Sequence, residues 1–506
     1  MCISRRYSWN SWTNSGGLCW RRIRPRIPSL QPRGEDGRLA TEPAEAEAVG
    51  EGAGPAALEP GALVGSGRLR QILAYARKVY GLEWLLRGAL DRRRRPATAA
   101  PLVGAAVLYT GLLRIRSFNA LEPKLGEKPF LRLVGGQQER TALCSVDTLS
   151  RALRVMDVDS LRAISVAILD KAERNKVFRE GWHGALRYVA LDGWEPFCSR
   201  SRHCAECLVR SVRVTRRDGT IIEIPEYYHR YAVAMLIDKR FDLALDIEPL
   251  WPADLRPAVA KGKKRNRLVR PEEDEGELTA ATRLLKRVKH SFGWLDVVVA
   301  DALYANGPFL SRVRELGMGA VIVARKESDE PLREALRIWG PQAAHTVVEA
   351  EEQRERIELW DCPDLETLDT YEGKIRVVRA RVSRAAEPEK PPSTWCMLVT
   401  GLPAKRLSAE KVLAVARARW HIENTGFHQW TTRWRFGHVF LHDGTGLRAL
   451  YWLFFAAFNL LTLFLYQQLR SYGRDRGKHV TRTISRLVDE MLDDLACVNA
   501  AAWDTS

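Results

Sequence analysis

Leu186-Arg187-Tyr188-Val189-Ala190-Leu191-Asp192 decides how this chain is read. A short apolar run that closes on a carboxylate reads as a buried strand presenting an acid at its C-terminal end. Downstream, Leu295-Asp296-Val297-Val298-Val299-Ala300-Asp301 repeats the pattern. A third acid, Glu423, sits in a helical, basic and tryptophan-rich stretch from Val412 to Trp434. Two strand-end aspartates and a helical glutamate supply oxygen donors for two divalent cations, Mg2+ or Mn2+. Such a site suits phosphodiester cleavage.

Charge points to the polymer. The 506 residues hold 79 Lys+Arg against 62 Asp+Glu, a net charge of +17, which favours a polyanionic partner. The length allows two to four domains, and a hydrophobic content of 46% is ordinary for a globular protein. Nine cysteines, six of them scattered without partner spacing, argue for a reducing compartment rather than a disulfide framework. No hydrophobic run follows the first basic residues, so no secretory signal is expected. Leu450 to Tyr466 is apolar over 17 residues, with Asn459 and Thr462 interrupting it. It reads as a buried core helix rather than a membrane span.

Working outward from the acids, the strands and helices alternate. Tyr188–Leu191 is followed by a hairpin, Leu208–Thr215 and Ile221–Ile224, turning at Asp218-Gly219. Strands Tyr231–Leu236 and Phe241–Ile247 come next. A polar segment, basic from Lys261 to Arg270 and acidic from Glu272 to Glu277, precedes a helix from Leu278 to His290. The order predicts three antiparallel strands continued by parallel strands with helical crossovers. Upstream, Arg68 to Arg94 and Leu102 to Ile115 have helical spacing. Asp147–Met156 and Ser160–Ala172 form a pair of helices compatible with a helix-turn-helix or with any helical hairpin. Residues 1–66 are an arginine-rich tail and an Ala/Glu/Gly/Pro-rich linker with no core-forming period.

Each acid alone has a bland reading. An aspartate at a strand end is often a turn or a cap, and Glu423, four residues after Arg419, is by itself a surface ion pair. Taken together, strand–Asp192, strand–Asp301 within Asp301-Ala302-Leu303-Tyr304, an insertion, and Arg419-Trp420-His421-Ile422-Glu423 resemble the DDE transposases of bacterial insertion sequences. The resemblance covers roughly residues 100–470. It implies an α/β ribonuclease H-like catalytic domain with a β-rich insertion before the glutamate, preceded by a helical N-terminal region. The corresponding segments are a tail and linker at 1–66, a helical DNA-binding region at 67–184 and the core at 185–325. The insertion at 326–394, the rest of the core with the Glu helix at 395–470 and a helical C-terminal tail at 471–506 complete the chain.

What the resemblance implies is specific. Asp192, Asp301 and Glu423 are the catalytic, metal-binding acids, and Mg2+ or Mn2+ is the cofactor. Double-stranded DNA, as element ends and target, is the partner of a homodimer in a synaptic complex. The location is cytoplasmic and nucleoid-associated, with no membrane. In that family a Tyr precedes the Arg and a Lys follows the Glu on one helix face; Ala416 and Trp430 occupy those positions here. Helical spacing puts Ala416, Arg419, Glu423 and Trp430 on one face. Arg433 and Arg435 replace the missing charge if the helix bends near Gly426, and Arg419 and Arg433 are expected to bind DNA. Those departures keep two alternatives open: an inactive, transposase-derived DNA-binding protein, and a ribonuclease H-like nuclease without strand transfer.

Three further groups carry expectations. Lys261, Lys263, Lys264, Arg265 and Arg267 form a basic loop that either binds phosphates or is simply solvated. Trp194 packs, or stacks on a base. Cys198, His203, Cys204 and Cys207 offer four soft ligands within ten residues, read either as a zinc knuckle or as buried thiols.

Overall fold

The computed structural model describes residues 67–135, 142–178, 186–255, 274–324, 330–350, 354–368, 370–386, 388–469 and 478–503. The described chain falls into two compact units. One lies within Glu180–Asp238 and Leu245–Phe427, the other within Arg21–Arg179, Lys239–Ala244 and His428–Ser506. The tail and linker at 1–66 and the basic loop Lys261–Arg267 lie outside the described residues.

The second of these units is helical. Its N-terminal part holds α1 (Arg68–Tyr80), α2 (Leu82–Arg87), α3 (Ala100–Leu112), α4 (Phe118–Leu121), α5 (Lys128–Val134), α6 (Val146–Leu153) and α7 (Val158–Arg174). The helical stretch read from Arg68 breaks at Gly81, whose φ of 66° is left-handed and so suits a glycine. Asp157 starts α7 by accepting the Ser160 amide, the short turn expected between these two helices.

The apolar run of Leu450 to Tyr466 lies in a longer helix, α13 (Gly444–Gln468). It packs on α1, α3, α6 and α7. By length and composition it is able to cross a membrane, yet 94% of its most apolar stretch is buried in the protein. Asn459, fully buried, has both hydrogen-bonding functions met, accepting from the Ala244 amide at 2.9 Å and donating to the Ala244 carbonyl at 2.8 Å.

Among the described residues a sheet of nine strands underlies the first unit. They are β1 (Tyr188–Trp194), β5 (Tyr231–Ile237), β6 (Asp242–Pro249), β7 (Val297–Ala300), β8 (Gly319–Val323), β9 (Thr346–Ala350), β10 (Glu355–Leu365), β11 (Ile375–Arg384) and β12 (Ser393–Thr400), and the unit takes β6 from Leu245 onward. Their order is β6-β5-β1-β7-β8-β12-β11-β10-β9. β1 runs antiparallel to β5 and parallel to β7, and β7 is parallel to β8. From β8 outward through β12, β11, β10 and β9 all pairings are antiparallel. β1, β5, β7 and β8 are almost wholly buried, which accounts for their unbroken Val/Ile/Leu/Ala runs.

Helices α8 (Glu277–Ser291), α9 (Gly307–Glu315), α10 (Glu330–Trp339) and α11 (Ala409–Ala418) belong to the same unit. This is a mixed α/β fold compatible with a ribonuclease H-like domain.

Two expectations differ in detail. The hairpin at Asp218-Gly219 forms, but its strands β3 (Leu208–Thr215) and β4 (Ile221–Tyr228) join β2 (Cys198–Ser199) in a separate three-stranded sheet. Alternating exposure along β3 and β4 fits a sheet with one wet face. The segment 326–394 holds a helix, α10, as well as strands, and its strands extend the main sheet.

Candidate active site

Register brings the first two acids together. Ala190 pairs with Val299 across the parallel β1–β7 ladder. The ladder ends there, and continuing its register by two residues leads to Asp192 and Asp301, whose charge acts on Asp192, at the carboxyl end where open α/β sheets place their chemistry. Asp301 follows the end of β7, as its apolar run indicates. Asp192 does not end its strand: β1 continues through Gly193 and Trp194 because antiparallel β5 still pairs there, Asp192 with Val233 and Trp194 with Tyr231. Asp301 also caps the short turn Ala302–Tyr304 by accepting the Leu303 amide at 2.9 Å.

The third acid arrives on irregular helix. Ser408 caps α11 through the Lys411 amide, and the α-helix ends at Ala418. Ile422–Phe427 then forms a π-helical turn, followed by α12 (His428–Thr432). π turns are uncommon and concentrate at functional sites. Arg419, 9% exposed in its side chain, extends one guanidinium nitrogen to both acids. Nη1 is 3.1 Å from Asp192 Oδ2 and 2.8 Å from Glu423 Oε1.

The wider turn overturns the single face expected for Ala416, Arg419, Glu423 and Trp430. A π turn takes in an extra residue, so α spacing does not carry past Glu423. Trp430 is fully buried, its ring 4.8 Å from Phe455 and 5.8 Å from Phe436. Ala416 is fully buried too. Arg433 is exposed. Trp194 packs, 3% exposed and stacked on Phe427 at 6.2 Å.

A fourth carboxylate was not anticipated. Glu277, the first residue of α8, is held by Arg230 Nη2 at 2.6 Å and by the Tyr304 hydroxyl, which donates to it at 3.0 Å. The α8 helix is pinned in rotation by a buried ionic network. Arg283 bonds Glu248 and Glu275, and Arg287 bonds Asp246 and Glu248. Gly193 makes room, because a Cβ there would overlap the Glu277 carboxylate and lie 2.8 Å from Arg230 Nη2. The sequence signal for Glu277 was its place in the first turn of a helix after Gly276. Its neighbours Glu272 to Glu275 made the whole run look solvated.

Crowding by like charge shows in Asp192. Burial, then the negative charge of Glu277, pushes its carboxyl up to about 7 against the pull of Arg419, and Asp301 adds to the rise. Burial raises the Tyr304 hydroxyl well above its ordinary range, with Glu277, Asp192 and Asp301 all adding. These field effects place Asp192, Glu277 and Asp301 in one neighbourhood, and the shared Arg419 adds Glu423. Residues 267–460 match the family described as the transposase DDE domain. The match is consistent with a DDE-type insertion-sequence transposase, and a DDE domain supports nuclease activity of the transposase kind. It includes Asp301 and Glu423 and begins downstream of Asp192. No curated protein matches the chain.

The oxygen-rich donor set of Asp192, Asp301 and Glu423 fits a divalent cation. Carboxylates suit Mg2+ or Mn2+, and such a cation would neutralise the negative charge that, after burial, raises the Asp192 carboxyl. Of the four soft ligands expected nearby, Cys204 and Cys207 come together. Cys198 is exposed and hydrogen-bonds Glu226, and His203 stacks on Tyr227 at 4.8 Å.

Proposed function

We propose that the protein is a transposase that binds the inverted repeats of element ends, cleaves DNA phosphodiesters hydrolytically and joins the 3′ ends to target DNA. The observation that carries this reading is the sharing of Arg419 Nη1 by Asp192 and Glu423, with the charge of Asp301 acting on the same Asp192. Asp192, Asp301 and Glu423 are the residues that would hold Mg2+ or Mn2+. When bound, the cations supply water activation and charge stabilisation at the scissile phosphate. Arg419 keeps the helical acid aligned with the strand acid. Glu277, fixed by Arg230 and Tyr304, adds a further negative group at the rim of the same cluster. Arg433 and the basic loop Lys261, Lys263, Lys264, Arg265 and Arg267 are assigned to the DNA backbone, with a homodimer as the synaptic species.

The full-length protein, incubated with labelled terminal repeats and Mg2+ or Mn2+, tests the reading. Wild type should cut and join, whereas Asp192→Asn and Asp301→Asn should bind ends and fail to cut. Either variant cutting at the wild-type rate would sink the assignment. Cutting without joining would favour a nuclease, and binding without cutting by wild type a DNA-binding relic.

A further inference from the structure

Cys204-Ala205-Glu206-Cys207 leads into β3, and His229 lies between β4 and β5. Chain topology folds these two places together. Cys204 Sγ and Cys207 Sγ are 3.8 Å apart, and His229 Nε2 is 3.4 Å from the first and 3.5 Å from the second. A disulfide needs about 2.05 Å between sulfurs, so the pair is not bonded.

Those three lengths have a common geometric meaning. A tetrahedral zinc ion with Zn–S of about 2.3 Å and Zn–N of about 2.0–2.1 Å sets its ligand atoms about 3.8 Å apart for S···S and about 3.5 Å for S···N. All three observed edges match that triangle. The Cys-x2-Cys turn has the form that receives a metal: the Cys207 amide donates to the Cys204 carbonyl at 3.1 Å, and the Cys204 amide donates to Cys207 Sγ at 3.3 Å. Cys207 and His229 are each 5% exposed, so these two ligands are sheltered from competing water, while Cys204 is half-buried.

We infer that Cys204, Cys207 and His229 are three ligands of a structural zinc ion that fastens the three-stranded β2-β4-β3 sheet to the start of β5. Asp192 lies on β1, the strand that pairs with β5, so the clamp would steady the strand next to the acid cluster. The ligand set differs from the one the sequence suggested, since His229 takes the place of His203 and Cys198 stands apart. The inference does not depend on the transposase reading and is tested without DNA.

The full-length protein, purified with zinc in the medium, should carry one tightly held zinc ion per chain by elemental analysis. Replacing that zinc with Co2+ should give thiolate-to-cobalt charge-transfer absorption and tetrahedral ligand-field bands. Cys204→Ser, Cys207→Ser and His229→Ala should each lose the metal, whereas Cys198→Ser, His203→Ala and Asp301→Asn should keep it. If the ligand variants prove insoluble, the wild-type cobalt spectrum decides alone. A cobalt protein lacking the charge-transfer band overturns the inference. So does zinc that persists at full stoichiometry in soluble Cys204→Ser, or zinc that disappears in soluble His203→Ala.

Discussion

Asp192 is the residue at which burial and like charge meet, and this gives its charge an unusual linkage to stability. Its folded carboxyl sits near 7 against an ordinary 3.8. The folded state therefore binds the proton more tightly than the unfolded chain, and metal-free stability falls as pH rises through that window. Asp192→Asn should raise the melting temperature of the metal-free protein at pH 8 and leave it unchanged at pH 4. The gain should be on the order of a few kcal/mol, since each tenfold change in proton affinity is worth about 1.4 kcal/mol. Equal melting curves at pH 8 would remove the charge-crowding account. Gly193→Ala tests the neighbouring carboxylate. The added methyl displaces Glu277 at a cost of about 1–3 kcal/mol. If that cost falls on the transition state, cleavage should slow by roughly ten- to a hundredfold. Retention of wild-type cleavage would show that Glu277 is free to move.

At this scale the sequence was legible wherever an acid ended an apolar run, as Asp301 does. Glu277 escaped because a buried acid and a solvated one look alike within an acidic run. The position of Trp430 is not legible, because α periodicity does not carry through the π-helical turn Ile422–Phe427.

Elements with strong local signals could be read directly from the sequence. The Asp218-Gly219 hairpin, the strand before Asp301 and the helix after Gly276 all form where their patterns indicate. The weak ones could not. β2 is two residues long, below any periodicity, and without it nothing signals that β3 and β4 belong to a separate sheet. α10 announces itself only by Leu332, Ala335 and Trp339 on one face within a highly charged segment. The apolar helix α13 gives the clearest test of element identity. Leu461 is fully buried, and an unpaired charge there would cost several kcal/mol, comparable with a domain's whole stability. Leu461→Lys should therefore abolish recovery of soluble protein, measured by fractionation after lysis. Wild type found only in detergent extracts would instead identify α13 as a membrane span.

Across the whole molecule, the proposed site draws on Asp192 in β1, Asp301 just after β7, Glu277 at the start of α8 and Glu423 in a π turn, far apart in sequence. The basic character of the chain sets a second expectation. End binding should weaken linearly on a log–log plot against salt, as counterions are released from each neutralised phosphate. Deleting residues 1–60, which lack a core-forming pattern, should leave end cleavage and that salt slope unchanged. A shallower slope in the truncated protein would assign phosphate contacts to the N-terminal arginines.

Sheet order also fixes a timetable for synthesis. β8 finds its outer neighbour in β12, not in anything made just before or after it. Roughly 70 residues separate them, so at about 5–20 residues per second a ribosome leaves that edge bare for on the order of 4–14 s. A bare, apolar strand edge invites pairing with another nascent chain. Slower elongation lengthens the exposure, so rare codons between β8 and β12 should lower the yield of folded protein without altering a single residue of it.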